Sequence, residues 1–104
     1  MYKKMEILIK VLDKSIEIYS NNEDVLLWLA LESERYRLDL VHPRVGVPRE
    51  GHLYLNGFNS HRDAEDYALW IKELLLSDNW EEDPRTKIPK NETWYKKSVR
   101  ADSY

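Results

Sequence analysis

The chain contains no cysteine, which excludes a disulfide framework, a thiolate nucleophile and a thiolate-ligated zinc site. It has only three glycines in 104 residues, too few for the Gly-rich loops that cradle phosphates or dinucleotides. Long hydrophobic runs are also missing. The longest, Val25 to Leu31, falls far short of the roughly 20 residues a membrane-spanning helix needs. The start, Met1-Tyr2-Lys3-Lys4, leads into a stretch broken by Glu6, Lys10, Asp13 and Lys14, so no signal-peptide core forms there. These absences predict a cytoplasmic protein without membrane contact. No cofactor is expected, and no catalytic motif is present.

What remains is 42% hydrophobic and 34% charged, the balance of a globular chain, and the length fits one domain. Aromatic residues are abundant but uneven: four Trp and seven Tyr against one Phe. Trp and Tyr pair a large apolar body with a polar handle, so they suit small cores and binding surfaces alike. The net charge of −3 hides a split. Ten Lys/Arg stand against seventeen Asp/Glu up to Asp83, a net of −7, and six against two from Pro84 onward, a net of +4. Residues 1–83 therefore read as a compact acidic domain, and 84–104 as a basic aromatic tail.

Hydrophobic periodicity predicts a small α+β domain. Over 3–20, Glu6, Lys10, Asp13, Lys14 and Glu17 gather on one arc at helical spacing, which favours a helix. The β-branched content leaves a two-strand alternative turning at Asp13-Lys14-Ser15. The apolar run 25–31 reads as a strand buried on both faces. Tyr36, Leu38 and Leu40 alternate with charged residues in a second strand, and Leu53 and Leu55 mark a third. A helix over 61–77 buries Ala64, Tyr67, Ala68, Trp70, Ile71, Leu74 and Leu75, leaving Leu69 and Leu76 unexplained on its polar side. The expected order is helix, three-stranded antiparallel sheet, helix and irregular tail. Its core is expected to join Leu8, Leu12, Trp28, Leu29, Leu38, Tyr67 and Ile71.

That order resembles the double-stranded-RNA-binding domain, whose second helix opens with a basic Ser-Lys-Lys-like run. Ser60, Arg62 and Ala64 echo it, while Glu65 and Asp66 put negative charge where phosphate-binding lysine is implied. The likeness therefore concerns the fold and not the function.

Three features are candidates for function. His42, His52 and His61 are the histidines, and none has the spacing of a two-His metal motif. The loop 42–51 is stiffened by Pro43 and Pro48 and offers Arg44 and Arg49 as forked donors for an acidic partner, with His52 at its end. The tail interleaves Lys87, Lys90, Lys96, Lys97 and Arg100 with Trp94 and Tyr95, a pattern that suits an acidic protein surface or single-stranded nucleic acid. The expected function is a small non-enzymatic interaction protein: a regulator, adaptor or inhibitor (phage-type inhibitors included) that binds another protein. The alternative is an RNA- or DNA-binding module working through the tail.

Overall fold

The computed structural model describes residues 2–36, 43–84 and 92–100. Tyr2–Leu12 (β1) and Ser15–Ser20 (β2) form a hairpin, Glu23–Arg35 is helix α1, and Arg44–Val45 (β3) and His52–Asn56 (β4) form a second hairpin. Helix α2 covers His61–Ser77, followed by the short Glu81–Glu82 (β5) and by Glu92–Arg100 (β6). All strands belong to one antiparallel sheet in the order β3-β4-β2-β1-β6-β5.

The α+β class is as expected, but the sheet has six strands rather than three. The segment 3–20 is the hairpin, not a helix. Its β-branched residues Ile7, Ile9, Val11, Ile16 and Ile18 all fall on one face once the chain turns at Asp13-Lys14, and the register Ile9↔Ile18 and Val11↔Ile16 packs them side by side. Conversely, 25–31 lies within helix α1. Leu and Ala favour helix, Asn22 caps the amides of Asp24 and Val25, and Glu23 and Asp24 complement the dipole in the first turn. Leu26, Leu29, Ala30 and Ser33 make the buried stripe. The strand expected over 36–40 lies almost wholly outside the described residues; Tyr36 itself is the C-cap of α1. Helix α2 agrees with its expected span, with Ser60 accepting from the Asp63 amide at 3.1 Å. Residues 92–100 were expected to be irregular and instead pair with β1 along their whole length. The likeness to the double-stranded-RNA-binding domain fails with the element order, since a hairpin stands where that fold needs its first helix.

The buried hydrophobic residues of the strands lie on one face of the sheet: Met5, Ile7 and Ile9 of β1, Ile16 and Ile18 of β2, Leu53 and Leu55 of β4, and Tyr95 of β6. Both helices pack there in one cluster with Leu26, Leu29, Tyr67, Ile71 and Leu75. Rings join the C-terminal end of α1 to the middle of α2. Tyr36 stacks on Trp70 at 4.0 Å, Tyr67 meets both edge-on, and its hydroxyl donates to the Ser33 carbonyl at 3.0 Å. Two expected core members are placed elsewhere, and a third is not among the described residues. Leu12 is 40% exposed at the hairpin tip, Leu8 is half-buried on the opposite face, and Leu38 is outside the described residues.

Ile71→Ala, in the middle of the cluster, is expected to cost about 2–5 kcal/mol, whereas Leu12→Ala should change stability by about 0.5 kcal/mol or less. Denaturant unfolding of both variants checks the assignment of faces. Burial also raises the phenol pKa of Tyr67 and of Tyr95, the latter further opposed by the Glu82 carboxylate. The fold therefore holds protons that the unfolded chain releases above the ordinary tyrosine value of about 10, so stability should be level below that pH and fall above it. Tyr95→Phe should shallow the alkaline decline in urea midpoints.

Candidate functional site: the uncovered face of the sheet

No described element packs on the face opposite the helices. Because strand neighbours share a face, the register defines the rows of side chains that cross it. Trp94 (β6) stands beside Leu8 (β1), Leu8 beside Tyr19 (β2), and Tyr19 beside His52 (β4). A second row runs Glu92, Lys10, Glu17 and Tyr54, and a third Glu81, Lys96 and Glu6. The pleat adds Arg44, opposite Asn56, and Arg49, opposite His52.

At the β2–β4 end the aromatic residues are in contact. The Tyr19 and His52 rings stack with centroids 4.6 Å apart, and His52 and Tyr54 are tilted at 6.2 Å. The Tyr19 hydroxyl donates a hydrogen bond to the Glu17 carboxylate, which raises the phenol pKa. His52 Nε2 is enclosed and 3.7 Å from Glu17 Oε2, beyond hydrogen-bond reach. Lys10 pairs with Glu92 at 3.3 Å on the next strands. At the β6 end a depression beside Trp94 is bordered by Glu6, Asp83 and Lys96.

A two-residue turn positions His52. Arg49 and His52 exchange both backbone hydrogen bonds, and the turn residues Glu50 and Gly51 have φ of 54° and 74°, the left-handed pair of a type I′ turn. The Gly51 amide donates to Glu23 Oε1 at 2.7 Å and its carbonyl accepts from the Ser20 amide at 3.0 Å. A Cβ on Gly51 would stand 2.9 Å from the Ser20 carbonyl oxygen. The hairpin is thus clamped to both β2 and α1.

Of the ten residues expected to contact a partner, the fold brings Arg44, Arg49, His52, Trp94 and Lys96 to this one face. Tyr95 and Lys97 point to the helical side, where Tyr95 is core and Lys97 pairs with Asp78 at 3.0 Å. Lys87 and Lys90 lie outside the described residues, as does the side chain of Arg100; so does His42. His61 ties α2 to the β1–β2 turn, with Nδ1 2.7 Å from the Asp13 carbonyl and Nε2 3.0 Å from Glu65. Leu8, Tyr19 and Tyr54 belong to the face and were not expected there. Leu69, unexplained by helix periodicity, is 56% exposed and rims a cleft formed with Ile9, Val11, Thr93 and Tyr95 between α2 and the sheet. Among the described residues no group of three or more His, Asp and Glu is arranged to hold a metal ion. Comparison of the chain with protein-family models, with curated proteins and with solved structures finds no match.

Gly51→Ala is expected to destabilise the protein by about 1–3 kcal/mol, because the turn needs positive φ and leaves no room for a Cβ. Thermal unfolding measures the loss, and disturbance of the Tyr19 and His52 side-chain signals should accompany it.

Proposed function

We propose that this chain is a non-catalytic interaction protein that binds another protein on the uncovered face of its sheet. The observation that carries this reading is the continuous row of Trp94, Leu8, Tyr19 and His52 across four strands, with Tyr54 38% exposed beside it. Trp, Tyr and Arg are the residue types that anchor protein interfaces, and Arg44 and Arg49 flank the row at the β3–β4 end.

The charges favour a protein over a nucleic acid as the occupant. Among the described side chains of this face, five basic residues (Lys4, Lys10, Arg44, Arg49 and Lys96) are interspersed with four glutamates (Glu6, Glu17, Glu81 and Glu92). Lys10 is neutralised by Glu92, and Lys96 stands between two carboxylates. Phosphate backbones demand an excess of cations that this mixture does not supply, whereas a partner with alternating charge around an apolar stripe is complementary to it. Roles as a regulator, adaptor or inhibitor are all consistent with such a surface.

The test compares three purified proteins: the wild type, Arg49→Ala/Tyr54→Ala on the face, and Leu69→Ala on the helical side. Each is used for affinity capture from the native host, and the captured protein is then titrated directly. The wild type and Leu69→Ala should bind alike, and the face variant at least about tenfold more weakly. Equal binding by the face variant overturns the reading. So does captured nucleic acid whose affinity falls steeply between about 50 and 200 mM salt, the behaviour of phosphate recognition.

A further inference from the structure

On the helical side of the sheet, away from the face described above, a cleft of about 340 Å³ opens between the start of α1, the end of α2 and β1. Met5, Val25, Trp28 and Trp80 supply its apolar lining, and Asp24 and Asp78 its carboxylates. The described lining contains no cation. We propose that this cleft binds an alkylammonium group, either a lysine-type side chain of a protein or a small quaternary amine.

The local chain geometry makes the site. Helix α2 ends in a Schellman motif: Asn79 is left-handed at φ 66°, its amide donates to the Leu76 carbonyl, and the Trp80 amide donates to that of Leu75. Trp80 belongs to the same buried cluster as Leu75 and is 3% exposed. The helix thus presents the negative end of its dipole at Asp78, itself an acid, with no basic residue in its last turn. That end attracts a cation.

The protein already places one there. Lys97 reaches from β6 to hold its ammonium 3.0 Å from Asp78 Oδ2 and 5.9 Å from the Trp80 ring centroid. A carboxylate and an indole are the combination that recognises ammonium groups. The cleft repeats it with Trp28 and Asp24 on the α1 side, and Met5 lines the same space with its thioether accepting from Asn22 Nδ2 at 3.1 Å. The positive dipole end of α1 is offset by the acids in its first turn, Glu23 and Asp24, and by its Asn22 cap.

Choline and its neutral isostere, 3,3-dimethylbutan-1-ol, are titrated into the full chain, with the Trp28 and Trp80 indole N–H signals as the readout. Choline should shift both signals and bind at least about fivefold more tightly than the isostere. Trp28→Ala and Asp78→Asn, each verified as folded by circular dichroism, should weaken choline binding about three- to tenfold. Lys97→Met removes the internal competitor and should tighten it. A trimethyllysine peptide that binds more tightly than choline identifies a protein side chain as the source, and the reverse identifies a free amine. Equal affinity for choline and isostere, choline binding untouched in both weakening variants, or no gain in Lys97→Met each overturn the assignment.

Discussion

β1 is hydrogen-bonded to β2 over residues 7–12 and to β6 over residues 2–10, so its alternation dictates the face taken by both neighbours. Ile7 and Ile9 point to the helices, and the register then carries Tyr95, Ile18, Leu53 and Leu55 to the same side. A slip of one residue would exchange the two faces entirely. Two helices of 13 and 17 residues cover that single apolar face. Among the described residues, no element packs on the opposite face.

The two faces differ in how their side chains are held. On the helical side, burial and close packing fix the residues, and polar atoms are few. On the uncovered face, position is fixed by cross-strand neighbours: Tyr19 between Leu8 and His52, Lys10 between Glu92 and Glu17. Such pairs contribute roughly 0.2–1 kcal/mol each, and exposed ion pairs add little more. The stability of the domain therefore rests on the helical side. The uncovered face is free to vary in chemistry with small consequences for folding, which is the condition a recognition surface requires.

Helix α2 was legible because its signals agree: the Ser60 cap, the stripe Ala64, Tyr67, Ile71 and Leu75, and charged residues opposite. The first hairpin was not, because Glu6, Lys10, Asp13, Lys14 and Glu17 satisfy a helical arc while Ile7, Ile9, Val11, Ile16 and Ile18 satisfy a strand alternation. Pairing with β4 and β6 decides between them, and those partners lie more than thirty residues away in the chain. Helix α1 was obscured because Leu27 and Leu31 are apolar yet exposed, which erased its polar face. In β6, lysines stand on both faces and Trp94 and Tyr95 are adjacent, so no amphipathic period marks the strand. The row of Trp94, Leu8, Tyr19 and His52 was unreadable because its four members come from four strands and meet only through register. Arg44, Arg49 and His52 could be grouped from the sequence because the hairpin holding them is local.

β6 ties the two candidate surfaces together. Its alternation sends Trp94 and Lys96 to the uncovered face, and Tyr95 and Lys97 to the helical side. Tyr95 is core, so the strand cannot shift to favour one surface without moving a buried ring. Its side-chain pairing with Asp78 reaches the end of α2, and its backbone pairing runs along residues 2–10 of β1. A ligand that displaced the Lys97 ammonium from Asp78 would release one side chain while leaving the strand's hydrogen bonds intact. Occupation of the cleft and occupation of the uncovered face are therefore expected to be energetically independent, linked by a common strand but not by a movable one.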